Sequence, residues 1–386
     1  MLNRLLGPEG KGRFVSLLIV PQLVVAFTHM GYGLSSSYFI GKKKFKEGDV
    51  FKSDLLLSLI IGVIGALIGY LIYQRFFPAE SQLSKVALLT LVFTGLWFYY
   101  FPDILLGKGK LLLQNHWNLI KQIAKFAILF AFLFIFYNKL KGAVSAIILL
   151  NIILYISSFF ILSRVINFSG HINRSYIKDG FVFGRKVYFA EFLGFLNYRF
   201  DIIFLKIFCT SAQIGFYSTA TFIAETLWIL PGAISLVLYS KLVTGEISEA
   251  VTSRIIKKTF FLVLLCAIIS LFVVKPLIRI FYTDAFIPSF LPFVILLPGI
   301  VCLAIPKVLA SHFVGVWGKP QLIVKGRVIS VITNIIFNLI LIPRYGMYGA
   351  AFASSLAYIV EAIFFIVIFK RNIDNIDNRY NKVGIL

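Results

Sequence analysis

Long apolar runs separated by short charged segments dominate the chain. Each run has about 20 residues or more, the length needed to cross the hydrocarbon core of a bilayer. The eleven runs are 14–40, 53–73, 85–106, 117–137, 143–163, 187–208, 214–239, 259–281, 289–315, 320–342 and 346–369. In lipid such a segment must satisfy its own backbone hydrogen bonds, so each run predicts a transmembrane helix. The pattern therefore predicts an all-α polytopic membrane protein.

Composition agrees with this pattern and adds a question about charge. Hydrophobic residues make up 59% of the 386 residues and charged residues only 14%, whereas soluble domains carry about 25% charged residues. The formal net charge is nevertheless +22. Two explanations are compatible with a membrane protein, namely basic cytoplasmic loops and a cationic interior that binds an anionic substrate.

The distribution of Lys and Arg between the loops predicts the orientation. If the loop at 41–52 is cytoplasmic, 21 basic residues lie on that side and eight on the other. The rule that cytoplasmic loops are the more basic ones places the C-terminus inside and Met1 outside. The expected organisation is an N-terminal lobe (1–163), a cytoplasmic linker (164–186), a C-terminal lobe (187–369) and a cytoplasmic tail (370–386).

Glycines recur at nearly constant offsets and predict an internal repeat. The pairs are Gly12 with Gly215, Gly109 with Gly318 and Gly142 with Gly349. They relate runs that are six apart, so the two lobes are expected to be pseudo-symmetric about an axis along the membrane normal, with a substrate site between them. The offset also places most of the first helix before Met1. We therefore expect five helices in the first lobe and six in the second, with the true start upstream or the first helix truncated.

Four segments together resemble one known family. They are LGPEGKG (6–12), NYRFDIIFLKIFCTSAQIGFYSTATFIAETLWILPGAIS (197–235), KPLIRIFYTDAFIPSFLPFVILLPG (275–299) and NIIFNLILIPRYGMYGAAFASSLAY (334–358). They are similar to the polysaccharide biosynthesis and export family, the Wzx-type flippases of the MATE-like superfamily. The resemblance implies a flippase that moves an undecaprenyl-pyrophosphate-linked oligosaccharide across the bacterial inner membrane by alternating access. It also suggests a polysaccharide polymerase and a chain-length regulator as partners, besides membrane lipid.

Two basic residues on the run 187–208 are candidates for binding the anionic headgroup. Arg199 lies about 18 Å from the cytoplasmic end of its run, near the midplane. Lys206 is seven residues further on and so on nearly the same helix face. Together they could meet a pyrophosphate, with Arg199 making bidentate contacts. The alternatives are a structural ion pair for Arg199 and a Lys206 that reaches the interface.

The acidic residues within runs have two interpretations. Glu225 lies on the following antiparallel run at a depth close to that of Arg199. It is either the partner of Arg199 or a carboxylate that binds a coupling ion and releases it during transport. Asp201 points away from Arg199 and has the same two interpretations, with pairing to another helix as the first.

Four further basic residues occupy matching regions of the two lobes. They are Lys121 and Lys125 in the first lobe and Lys325 and Arg327 in the second. The sharper hypothesis is a vestibule that attracts the anionic headgroup; the alternative is that each side chain reaches the membrane interface. Lys307 is interpreted in this second way only.

The remaining features argue against catalysis. No loop is large enough to form a catalytic domain, and the sequence contains no phosphate-binding loop, HExxH motif or nucleophile motif. We therefore expect no enzyme activity, no cofactor, no metal and no nucleic-acid partner. A drug or ion antiporter of the same superfamily, a polysaccharide polymerase and an inactive truncated remnant are the alternatives to a flippase.

Overall fold

The computed structural model describes residues 2–76, 82–136, 138–243 and 249–383, and this part of the chain is all helical. Two compact units divide it, unit 1 (Met1–Phe195) and unit 2 (Leu196–Leu386). The helices of unit 1 are α1 (Leu2–Thr28), α2 (Tyr32–Gly41), α3 (Glu47–Phe76), α4 (Gln82–Gly107), α5 (Leu111–Ile135) and α6 (Lys139–Ser163). A long helix, α7 (Arg174–Phe208), begins in unit 1 and ends in unit 2. The other helices of unit 2 are α8 (Ser211–Glu225), α9 (Ile229–Val243), α10 (Glu249–Phe281), α11 (Phe290–Gly315), α12 (Gln321–Tyr345) and α13 (Met347–Val383).

Ten helical segments in the described residues are long and apolar enough to cross a membrane. They overlap ten of the eleven predicted runs, with α8 and α9 forming one span across the short 3-10 turn Thr226–Trp228. The first segment, Asn3–Thr28, begins and ends more than ten residues earlier than the predicted run 14–40. The eleventh run, 187–208, lies on α7, which is helical but carries several charged residues. The prediction of an all-helical multi-pass membrane protein is confirmed.

The run 14–40 contains a break that hydropathy does not predict. Met30 and Gly31 have φ angles of 50° and 71°, which end α1 and start α2 in a new direction. A break frees backbone carbonyls that must find other donors inside a membrane. The carbonyl of His29 accepts a hydrogen bond from the Tyr100 hydroxyl of α4 at 3.2 Å. The break is therefore satisfied within unit 1.

The segment 164–186, predicted as a linker, is helical from Arg174 onward, and the boundary between the units falls later, after Phe195. Polar contacts explain the difference, because they attach the first half of α7 to α2. The hydroxyl of Tyr32 donates to the Ile177 carbonyl at 2.9 Å, and that of Ser35 donates to the Gly180 carbonyl at 2.8 Å. At the other end of the chain, α13 continues into the predicted tail and ends at Val383.

Each unit presents the same local devices at matching points of its helix order. Gly109 between α4 and α5 and Gly318 between α11 and α12 both have positive φ, 71° and 59°. Gly142 of α6 and Gly349 of α13 both pack so closely on the preceding helix that a Cβ would lie within 3.0 Å of a carbonyl oxygen. These glycines belong to the predicted repeat, so the structure supplies the physical reason for their positions.

Candidate functional site

Arg199 and Glu225 form a bidentate ion pair in unit 2. Arg199 Nη1 donates to Glu225 Oε1 at 2.6 Å and Nη2 donates to Oε2 at 2.8 Å. The side chains are 33% and 19% exposed. The pair sits where α8 gives way to the 3-10 turn, so the end of this helix positions the carboxylate. As a result, the pair of Arg199 and Glu225 carries no net charge.

Asp201 is buried and lies in a network of neutral donors. It accepts hydrogen bonds from the hydroxyls of Tyr217 on α8 and Ser354 on α13, the latter at 3.2 Å. Asn334 Nδ2 donates to Ser354, and Asn338 Nδ2 donates to Asn334 Oδ1 at 2.7 Å. The Oδ1 atom of buried Asn338 has no hydrogen-bond partner in the described part of the chain. The site thus combines a carboxylate with an amide oxygen that is available to a donor or a cation.

A second polar group in unit 2 surrounds Lys307. Its Nζ lies 4.6 Å from the Trp228 ring centroid and 5.7 Å from that of Tyr198. Buried Glu361 on α13 interacts electrostatically with both Lys307 and Arg327. Lys307 thus has aromatic and acidic neighbours in unit 2 that the sequence analysis did not predict. Arg327 belongs to this group, whereas Lys325, two residues earlier, is exposed.

Lys206 lies in the last turn of α7 and is half-buried. Its side chain is not free, and Arg199 is committed to Glu225. Of the candidates in unit 2, the structure therefore brings together Arg199 with Glu225, but not the predicted stripe of two free cations.

Unit 1 contains a cavity of about 570 Å³ between α1, α4, α5 and α6. Lys121 and Lys125 of α5 line it, together with four neutral hydrogen-bonding side chains. These are Gln22, Tyr99, Gln122 and Asn151. Behind Tyr99, the ring of His29 stacks on it with centroids 4.3 Å apart. The two lysines predicted from the sequence thus share one cavity with these four polar side chains, in a lining that is otherwise apolar.

Lys11 of α1 extends this group to three cations. It interacts electrostatically with Lys125, which in turn interacts with Lys121. No carboxylate within the described ranges lies at ion-pair distance from any of the three. We call Lys11, Lys121 and Lys125 the lysine cluster. Sequence reasoning did not connect Lys11 with α5, because this electrostatic interaction joins residues over 100 positions apart in the chain.

Helix α5 separates the cavity from the apolar surface of unit 1. While Lys121 and Lys125 line the cavity, Phe126, Phe130 and Phe134 form a ladder of exposed rings on the same helix. A polar face and an apolar face on one helix are the pattern expected between an aqueous site and lipid. This arrangement can hold a ligand that has both an anionic and an apolar part.

Sequence reasoning also missed several acidic residues within predicted runs. Glu361 lies in the middle of the last run, and the rule that marked Arg199, an ionisable residue within a span, applies equally to it. Asp103 and Glu191 carry the same signal. For Asp54 the signal was weaker, because it lies next to a basic loop where charged residues are common. Among the described residues no group of three His, Cys, Asp or Glu side chains is arranged to hold a metal.

Comparison with known proteins identifies the family. A model of the family described as polysaccharide biosynthesis protein matches residues 1–240, which is more than half of the chain. The probable low-salt glycan biosynthesis flippase Agl15 of Haloferax volcanii is 24% identical over 177 residues. That match covers 44% of this chain and 37% of the relative's length.

Solved structures show that the fold is shared with membrane transporters. An inward-facing multidrug resistance MATE family transporter of the MOP superfamily superposes with a TM-score of 0.79 at 17% identity, covering 98% of this chain and 93% of that one. Lipid II flippase MurJ, in an inward closed conformation, gives a TM-score of 0.74 at 17% identity over 95% and 86% of the two chains. On the evidence of the match over residues 1–240, the chain belongs to the polysaccharide biosynthesis protein family.

Proposed function

We propose that the protein is a flippase for an undecaprenyl-pyrophosphate-linked oligosaccharide in the bacterial inner membrane, with its C-terminus in the cytoplasm. The observation that carries this proposal is the lysine cluster beside the cavity of unit 1. The family and the named relatives support a flippase role, and the cluster supports an anionic substrate.

Electrostatics explains why the cluster favours such a ligand. Like charges that share a poorly solvated region destabilise one another, and a bound anion removes this cost. A pyrophosphate offers several strong acceptor oxygens to the ammonium groups of Lys11, Lys121 and Lys125. Arg199 is less suited to the first encounter, because Glu225 already neutralises it. We assign Lys206, Lys325 and Arg327 to later contacts with the headgroup as it crosses.

The two remaining parts of the substrate fit the surroundings of the cluster. The amides of Gln22, Gln122 and Asn151 can exchange hydrogen bonds with sugar hydroxyls, and Tyr99 offers a ring to a sugar face. The exposed Phe ladder of α5 faces away from the cavity, where a prenyl chain can remain in lipid. The glycan would thus be sheltered in the cavity while its anchor never leaves the apolar phase.

Alternating access needs an energy source, and we propose Asp201 as the residue that couples it. Its carboxylate can bind a proton, and the carboxylate and the Asn338 Oδ1 atom can act as oxygen ligands of a small monovalent cation. The Arg199–Glu225 pair is the less suited candidate, since its carboxylate oxygens are occupied by the guanidinium. Replacement of Asp201 by Asn should then abolish transport driven by an ion gradient while binding of the headgroup persists.

Headgroup binding to the purified protein tests the proposal directly. We expect the double variant Lys121→Ala/Lys125→Ala to weaken binding of undecaprenyl pyrophosphate by about ten- to a hundredfold, because two charge-assisted contacts are lost. The affinity of the native protein should also fall as salt is added. The control is Lys258→Ala, an exposed lysine of α10, which should bind normally.

The same assay separates the alternatives. Equal affinity of the double variant and the native protein would remove the lysine cluster from the function. Binding of cationic drugs in place of the pyrophosphate lipid would instead indicate an antiporter. In cells, loss of surface polysaccharide with normal amounts of the variant in the membrane is the expected phenotype.

A further inference from the structure

A buried ring of oxygen atoms lies in unit 1, away from the lysine cluster. The carboxyl group of Asp54 on α3 is within 2.6 Å of the Ser36 hydroxyl of α2 and within 2.6 Å of the Tyr176 hydroxyl of α7. Ser36 is also 2.8 Å from the Tyr32 carbonyl and 2.9 Å from the Tyr176 hydroxyl. All four residues are almost completely buried.

Counting hydrogens in this ring indicates that Asp54 is protonated. Three of the contacts, Ser36 with Tyr32, Ser36 with Asp54 and Tyr176 with Asp54, each require one hydrogen. The two hydroxyl groups supply only two. If Asp54 were ionised, either the contact of Ser36 with Tyr32 or its contact with Asp54 would bring two lone pairs together. A carboxyl hydrogen on Oδ2, donated to Ser36, completes all three and leaves only the longest contact of the ring, Ser36 with Tyr176 at 2.9 Å, without a hydrogen.

The titratable groups around the ring also favour a protonated Asp54. No basic group in the described residues lies at ion-pair distance from Asp54. The titratable groups that face it are phenols and an acid: Tyr32 on α2, Tyr100 and Asp103 on α4, and Tyr176 on α7. A buried carboxylate without a cation is costly, and these neighbours do not offset that cost.

Lys52 is the basic residue nearest to Asp54 in the sequence, but its side chain does not pair with the Asp54 carboxyl group. Its Nζ is exposed and donates to the Gly170 carbonyl at 2.7 Å. Asp49, another buried carboxylate of α3, differs from Asp54 because it accepts from the His171 backbone N–H at 2.9 Å. An acceptor-only role suits an ionised group, so the two aspartates are expected to differ in protonation.

The ring joins three helices at the start of the helix that connects the units. Ser36 belongs to α2, Asp54 to α3 and Tyr176 to the first turn of α7. We propose that Asp54 is a proton-binding site of the transport cycle, which holds the first half of α7 on unit 1 when protonated. This proposal deepens the proposed function, on which its role in transport rests.

Release of the proton has a defined local consequence. The O–H bond of the carboxyl group breaks, the proton passes to water and Asp54 keeps the negative charge. Both hydroxyl hydrogens must then turn toward the carboxylate, so Ser36 gives up the Tyr32 carbonyl. An unpaired charge remains in a buried site close to Asp103. The lost bond lies within α2, so it is the buried charge that destabilises the folded arrangement in which α2, α3 and α7 meet.

Infrared spectroscopy of the purified protein, with no substrate present, tests the protonation. We expect a carbonyl band of a protonated carboxyl group that is lost in Asp54→Asn and retained in Asp179→Asn, whose carboxylate is exposed and paired with Lys44. Tyr176→Phe should keep the band but shift it, since the carbonyl loses its donor. The proposal is overturned if Asp54→Asn loses no protonated band, or if Tyr176→Phe leaves the band unshifted.

Hydrogen exchange tests the mechanical consequence. After correction for the intrinsic effect of pH, exchange in 32–41 and 174–185 should accelerate as pH rises in the native protein. It should not do so in Asp54→Asn, whose amide can donate to Ser36 as the protonated acid does. An identical pH dependence in both proteins would contradict the proposal. Neither measurement uses the lipid substrate, so a failure here is distinct from failure of headgroup binding.

Discussion

At the scale of single residues, the pair of Arg199 and Glu225 decides how charge is distributed in unit 2. Two contacts of 2.6 and 2.8 Å join the guanidinium to both carboxylate oxygens. Such a fork is geometrically specific, and it lies in a region where a single unpaired charge would be costly. The pair therefore stabilises the junction between α7 and the end of α8.

We predict that Arg199→Ala and Glu225→Ala each destabilise the protein by about 1–3 kcal/mol. Breaking a fully buried pair costs roughly 3–5 kcal/mol, and the 33% exposure of Arg199 lowers that figure. The double variant should lose less than the sum of the two, because each single variant leaves a charge unpaired. Thermal unfolding in detergent measures all three.

An exchange of the two charges then distinguishes a structural pair from a substrate contact. Arg199→Glu combined with Glu225→Arg should recover much of the stability. If export also recovers, the pair has no direct contact with the substrate. Stable protein without export would instead return Arg199 to the binding site, and strictly additive effects would show that the two residues do not interact.

The pairing could be predicted from sequence, but the environment of Lys307 could not. Arg199 and Glu225 lie at similar depth on consecutive antiparallel runs. The sequence therefore indicates that the two residues are close to each other along the membrane normal. Lys307 meets rings on α7 and in the turn after α8, about 80 to 110 residues earlier in the chain. Hydropathy gives depth within a span but not the direction in which a side chain points.

At the scale of helices, the break between α1 and α2 combines a left-handed backbone conformation with a close backbone contact. Gly31 has a φ of 71°, and a Cβ at this position would lie 2.5 Å from the Gly184 carbonyl oxygen of α7. Both the conformation and the contact therefore require glycine. The break lets α2 turn away from α1 and pack against the first half of α7.

Comparison of Gly31→Ala with Gly109→Ala separates these two requirements. Gly109 has the same φ of 71°, but a Cβ there would meet nothing within 4 Å. Gly109→Ala should cost about 1 kcal/mol for the left-handed conformation alone. Gly31→Ala should cost a further 1–3 kcal/mol or so, because backbone atoms must move apart. Unfolding midpoints in the same detergent give both values.

Equal losses of stability in the two variants would show that α7 moves easily at Gly184, and that the close approach contributes little.

At this scale the sequence predicts the helices better than the break between α1 and α2. The helical runs were predictable from their length and apolar character. The break was not, because it depends on donors far along the chain, the hydroxyls of Tyr100 on α4 and Tyr188 on α7.

At the scale of the whole molecule, the repeat was predictable because it depends on glycines at turns and close helix contacts. Gly109 and Gly318 need positive φ, and Gly142 and Gly349 allow a helix to approach its predecessor. These requirements act locally and leave a mark in the sequence. The boundary at Phe195 could not be predicted in this way, because it lies inside a continuous helix whose halves pack in different units.

Orientation in the membrane is the remaining property of the whole chain, and a native cysteine can report it. Cys209 lies between α7 and α8, on the side predicted to be outside, and is half-buried. Cys266 and Cys302 lie within α10 and α11. An impermeant maleimide added to intact cells should therefore label the native protein at Cys209, and Cys209→Ser should abolish that labelling.

The rate of this labelling should depend on pH in a defined direction. Partial burial raises the pKa of the Cys209 thiol above its ordinary value. The thiolate is the reactive form, so labelling is slow at neutral pH and accelerates as pH rises toward that pKa. The matched control places a cysteine in the basic loop, as Lys42→Cys in the Cys209→Ser background, and this variant should react only after permeabilisation. Labelling of Lys42→Cys in intact cells, with Cys209 silent at every pH, would reverse the orientation and place the first approach to the lysine cluster on the opposite side of the membrane.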